Sequence, residues 1–299
     1  MEIVRSKYTI ALITALALSA GAGCGSPDLP GPVANAKSAK AIREVLKTGG
    51  DEGATAATAA TGTGWATLKG RFTFVGAPPQ RPPYKVDKDH NICTEGGRAP
   101  LEEKLIVQDG SNGIMNVAVY LRRASRVHES FQQTAAPVVL DQKVCVFLPH
   151  IVAPLAGKPM LIKNSDPTGH NAKFGSFNET VASGGTREYL AQKESALPLG
   201  VSCSIHPWMT AYILPRENPY VAITKEDGSF ELANLPAGEE LEFQVWHESS
   251  AGASQALVPN TPETKELNWS SRGRFKIKLQ PDEVKEIQIS VPATAFTGV

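Results

Sequence analysis

The sequence predicts an all-β protein built of sandwiches. Three observations carry this. From Trp65 onward, short apolar or alternating runs recur along the chain. Gly, Pro, Asn and Asp bound those runs. Turn signals such as Asp227-Gly228 and Leu235-Pro-Ala-Gly238 separate them at short intervals. Many short strands with regular turns argue for sandwiches or barrels.

The N-terminal segment, residues 1–23, reads as a signal peptide. Arg5 and Lys7 supply a basic start, and Tyr8 to Ala20 is an apolar stretch too short to span a bilayer. Small residues then lead to Cys24. The pattern resembles a bacterial lipoprotein signal, which implies lipidation at Cys24. The position three before the Cys is Gly21, where such signals usually carry Leu, and plain cleavage near Ala20-Gly21-Ala22 is the alternative. Export to the periplasm or cell envelope, as a lipid-anchored protein, is the expected localisation. No later segment approaches the roughly 18 apolar residues of a membrane span, so the expected membrane link is the N-terminal lipid.

Residues 24–64 read as a low-complexity linker. Gly25 to Pro32 is rich in Gly and Pro, and Asp51 to Gly64 is Ala, Thr and Gly with little else. Such composition buries too little apolar surface to offset its ordering entropy. Residues 36–47 contain good helix formers, stopped by Gly49-Gly50, and predict a short helix that is marginal alone.

The strand candidates follow in order: 66–74, 104–107, 117–121, 144–148, 160–163, 211–214, 220–224, 241–246, 275–279 and 284–291. A length of 299 residues accommodates about two domains. Lys plus Arg and Asp plus Glu number 30 each, which gives no electrostatic reason to expect nucleic acid as a partner.

Four cysteines are present. Cys24 belongs to the signal and Cys203 to the motif below. Cys93 and Cys145 remain, an even pair in an exported chain, and predict a disulfide. A second metal site at Cys145 with His150 or His90 is the competing idea, and no tight ligand spacing supports it.

The chemistry concentrates in Cys203-Ser-Ile-His206-Pro-Trp-Met209, with His170-Asn171 upstream after Asn164-Ser-Asp-Pro-Thr-Gly. Two imidazoles, one thiolate and a weak axial thioether are the donor set of a blue-copper electron-transfer site. Cys-x-x-His by itself also suits zinc. The motif resembles the ligand loop of cupredoxins, amicyanin-like proteins most closely. The resemblance covers roughly residues 140–217. It implies a Greek-key sandwich over 135–217 and one mononuclear type 1 copper held by His170, Cys203, His206 and Met209. It also implies that Asn171 ties the two ligand loops together. Pro207 and Trp208 then read as a docking patch for a redox partner protein beside His206; the alternative for Trp208 is core packing.

Residues 224–238 resemble part of a transthyretin-like sandwich of the carboxypeptidase-regulatory type. That domain is expected over 218–295, after an N-terminal β region at 65–134. A tandem order and a nested one, with 65–134 and 218–295 forming one module, both accommodate the pattern.

Multicopper oxidases and copper nitrite reductases need further His clusters. This chain has six His and no His-x-His pair, nor does it carry a hydrolase, zinc-protease or P-loop motif. The expected function is therefore outer-sphere electron transfer rather than catalysis. Two alternatives stand: a non-redox sandwich that binds a ligand such as carbohydrate, and a copper carrier.

Overall fold

The computed structural model describes residues 62–131 and 136–298. The expected signal peptide, Cys24 and the helix over 36–47 lie outside them. The described chain is nearly all β. In order it runs β1 (Trp65–Val75), α1 (His90–Cys93), β2 (Ala118–Leu121), β3 (Val138–Lys143), β4 (Val146–Leu148), β5 (Ile151–Val152) and β6 (Pro159–Asn164). It continues with β7 (His170–Phe174), β8 (Phe177–Val181), β9 (Thr186–Leu190), β10 (Leu199–Ser202) and β11 (Thr210–Ile213). It closes with β12 (Val221–Ile223), β13 (Ser229–Pro236), β14 (Glu240–Trp246), α2 (Pro262–Glu266), β15 (Arg274–Lys278) and β16 (Val284–Pro292). Among the described residues no helix is long and apolar enough to cross a membrane.

Four sheets form among the described residues, and two hydrophobic cores fill them. In the first pair of sheets, β1 lies between β13, antiparallel, and β16, parallel. The facing sheet has the order β12-β2-β14-β15. Alternation on β1 sends Ala66, Leu68, Phe72 and Phe74 into this core, where they meet Val119, Leu121, Phe243 and Phe275. Strands from both sides of residues 138–213 thus share one sheet.

The second pair of sheets has the orders β4-β3-β6-β9 and β5-β11-β10-β7-β8. Its core contains Leu140, Phe147, Met160, Ile162, Phe174, Val201 and Ile213. A small cluster of Ala118, Tyr120, Ile151, Leu214 and Trp246 joins the two cores. This explains why β2 is apolar at every position: Val119 and Leu121 face one core, Ala118 and Tyr120 face the junction.

Several strands differ from the sequence expectation. The run 104–107 forms no strand; only Val107 makes a bridge, to Ile114. Strands β7, β8 and β9 carry His170, Asn171, Asn178, Glu179, Thr186 and Arg187, so their apolar alternation is faint. The Asp227-Gly228 turn is present, with the Gly228 amide donating to Lys225 O at 2.9 Å. Its flanking strands nevertheless enter different sheets. The Thr224 hydroxyl accepts the Val117 amide at 2.9 Å and donates to Ile114 O, which commits β12 to the edge of β2.

Candidate metal centre

The centre sits at one end of the second core, between two loops. The first runs from the end of β6 to the start of β7. Buried Asn164 shapes it: the side-chain amide donates to Thr168 O at 2.7 Å and Val181 O at 2.9 Å, and its carbonyl accepts the Asp166 amide at 2.9 Å. The loop delivers His170 as the first residue of β7, fully buried. The second loop joins β10 to β11. The Cys203 amide donates to Met209 O at 3.3 Å and the Met209 amide to His206 O at 2.9 Å, which folds residues 203–209 into a tight bend.

Ligand atoms of His170, Cys203 and His206 lie within 4.8 Å of one another, and all three residues are buried. Met209 is also fully buried in the adjoining core. Cys203 is the free cysteine among the described residues. Its sulfur accepts the Asn171 amide at 3.3 Å and the His206 amide at 3.4 Å. Asn171 ties the loops, because its side-chain carbonyl accepts the Ser204 amide at 3.1 Å. The amide group of Asn171 donates in turn to Asn178 Oδ1 at 2.9 Å and Glu179 O at 3.2 Å on β8.

The two imidazoles are oriented from outside by carboxylates. His170 Nε2 lies 2.7 Å from Asp166 Oδ2, and His206 Nε2 lies 2.8 Å from Asp89 Oδ2. A carboxylate only accepts, so each Nε2 carries a proton and each Nδ1 is directed inward. The two Nδ1 atoms stand 2.9 Å apart. Two lone pairs at that distance repel unless a proton or a cation lies between them.

The electrostatics agree with this. Burial works against a charged His170, but Asp166 and the Cys203 thiolate outweigh it and lift its pKa to about 9. Burial lowers the pKa of His206; Asp89 opposes that and charged His170 reinforces it. For Cys203, burial raises the pKa, yet His170 and the amides of Asn171, His206 and Ile205 bring it below the ordinary thiol value. The metal-free centre thus resembles a thiolate–imidazolium pair, with a proton where a cation fits. The donors are one soft sulfur and two imidazole nitrogens, a set suited to copper.

Asp166 and Asp89 escaped the sequence reading. Asp166 accepts the Val144 amide at 2.6 Å and the Cys145 amide at 2.8 Å besides facing His170. Its one local signal is its place four residues before a ligand. Asp89 comes from a distant segment. Cys93 and Cys145 are joined as a disulfide beside the centre. Trp208 is half-buried: its indole donates to Cys145 O at 3.1 Å, and its ring meets His206 edge-on at 5.1 Å. Pro207 is exposed. His90 is exposed, His128 is half-buried against Trp65, and His150 and His247 belong to a separate buried cluster.

No protein-family model and no curated protein matches the chain. Some solved structures are similar over part of it. A Cu-containing nitrite reductase from Thermus scotoductus SA-01 shares 20% identity over 28% of this chain and 23% of its own, with a TM-score of 0.26. A purple cupredoxin from Nitrosopumilus maritimus shares 17% over 26% of this chain and 98% of its own, at 0.24. Amicyanin from Paracoccus versutus shares 17% over 33% of this chain and 97% of its own, at 0.25. This chain therefore spans less than a quarter of the nitrite reductase.

Proposed function

We propose that this chain is an exported type 1 copper protein that passes single electrons by outer-sphere transfer. The supporting observation is the convergence of two inward-facing Nδ1 atoms and one buried thiol whose thiolate is favoured. His170, Cys203 and His206 would hold the copper, with Met209 as a weak axial donor. Bound copper would supply a one-electron couple.

The chain's own residues do the rest. Asp166 and Asp89 fix the imidazole rings, so little rearrangement accompanies a change of charge. Amide donors to Cys203 Sγ stabilise its negative charge and so influence the potential. Burial of all three donors excludes water. Exposed Pro207 and half-buried Trp208, next to His206, give a redox partner protein a surface to dock on. The Cys93–Cys145 disulfide supports an oxidising compartment, and Cys24 would provide the lipid anchor.

The test is direct. Cu(II) added to the purified metal-free protein should give an intense visible copper–thiolate band and narrow hyperfine splitting, both lost in Cys203→Ser. A colourless adduct identical in wild type and Cys203→Ser overturns the reading. Tight but exchangeable Cu(I), without a stable coloured Cu(II) form, would replace it with copper carriage.

A further inference from the structure

We propose that Asp89 is a positioning residue of the metal centre, and that the Cys93–Cys145 disulfide links it to Asp166, so that one covalent bridge orients both imidazoles. The inference rests on the metal-binding reading above. It adds a residue and a bond that neither the ligand motif nor the loop tie contains.

The geometry starts at Asp89. Its carboxylate takes the Nε2 edge of His206 at 2.8 Å, and its side chain is 39% exposed while that of His206 is fully buried. Asp89 thus lies on the solvent side of His206 Nε2. An isolated surface carboxylate would be a weak anchor. Asp89 is not isolated. It adopts φ 50°, ψ 37°, a left-handed conformation that costs energy in a residue with a side chain. The amides of Ile92 and Cys93 both donate to Asp89 O at 2.8 Å, so the backbone is held one short turn from the disulfide.

Cys145 is the other end of that bond, and it is a node. Its amide donates to Asp166 Oδ2 at 2.8 Å, the oxygen that also faces His170. Its carbonyl accepts the Trp208 indole at 3.1 Å. Both cysteine sulfurs lie within 4.8 Å of a His206 ring nitrogen. The route Asp89–Cys93–Cys145–Asp166 therefore ties the two outer carboxylates, with the two ligand rings between them. Its effect is to hold both rings with Nε2 outward and protonated and Nδ1 directed inward.

Two measurements test this on the full chain. Long-range 15N spectra of the metal-free wild type should show His206 protonated at Nε2. Asp89→Ala should mix or reverse that tautomer, and Asp89→Asn, which keeps an acceptor oxygen, should restore most of it. On copper loading, Asp89→Ala should weaken affinity by about 10- to 100-fold and shift the reduction potential, with Asp89→Asn in between. Cys93→Ser/Cys145→Ser should reproduce the Asp89→Ala tautomer although Asp89 remains. If Asp89→Ala leaves tautomer, affinity and potential unchanged, the positioning role is overturned. If Asp89→Ala has its effect but the Ser/Ser variant keeps the wild-type tautomer, the disulfide link is overturned. Failure of the copper reading is seen separately, as a wild type with no copper–thiolate band, while the tautomer still decides the role of Asp89.

Discussion

The backbone amide of Asn171 points at Cys203 Sγ from 3.3 Å, while the Asn171 side-chain carbonyl accepts the amide of Ser204, the residue after that cysteine. One residue thus holds both the sulfur and the loop that carries it. The two contacts are separable, because the backbone donor survives any side-chain change.

Asn171→Ala should therefore remove the loop tie and keep the amide on sulfur. It also removes the side-chain donors to Asn178 Oδ1 and Glu179 O, so three hydrogen bonds are lost at about 1 kcal/mol each, and a fall in the denaturation midpoint worth about 3 kcal/mol is expected. The freed Ser204 amide lets Cys203 shift against its donor, which should change the copper–thiolate band position and the potential. Urea unfolding and visible spectroscopy check the two effects. An unchanged band would mean that the tie does not position the sulfur.

The disulfide should also matter for stability by itself. Cys93 and Cys145 are 52 residues apart in sequence. Cross-linking a loop of that length removes unfolded-state entropy worth about 4 kcal/mol. Chemical denaturation of the metal-free Cys93→Ser/Cys145→Ser variant should show a loss of about that size, and thiol labelling of native wild type should leave both cysteines unmodified.

Gly228 offers a control remote from the metal ligands. It has φ +79°, and a Cβ there would lie 2.2 Å from Phe72 O and 2.9 Å from Gly113 Cα. Both obstacles are backbone, so neither can rotate away. Gly228→Ala should destabilise by about 1–3 kcal/mol or more. It touches the core around β1, not the loops that carry the ligands. Thermal unfolding should shift downward while the copper–thiolate band at low temperature stays as in wild type.

The ligands were legible because their chemistry is local. Cys203, His206 and Met209 share one heptapeptide, and His170-Asn171 follows a turn. Strands such as β1 were legible because one face alternates into the core, and β2 because both of its faces are buried. Strands β7 to β9 were not, since polar residues that serve the centre or face solvent surround their few core positions, Ala172, Phe174 and Val181. Asp89 was illegible for a different reason: it reaches His206 across 117 residues, a contact that only the folded chain makes. Asp166 was within reach of a local argument, as the carboxylate four residues before a ligand imidazole.

His150 contributes to the pH dependence of the fold. It is 3% exposed just before β5, with Nδ1 3.3 Å from Glu103 and Nε2 against Glu248. Burial pulls its pKa down, but the two carboxylates outweigh this and lift it to about 9 from 6.5. His247, buried nearby, stays neutral, since burial and charged His150 push its pKa down to about 3. The folded pKa of His150 is thus above the unfolded one. Its contribution is fully present below pH 6.5 and is lost as pH rises through about 9. Stability measured by urea unfolding should fall across that window. His150→Ala should abolish that part of the slope and cost about 3–5 kcal/mol near neutrality, because Glu103 and Glu248 would then face each other without a cation. A slope that persists unchanged in His150→Ala would assign the pH dependence to another group.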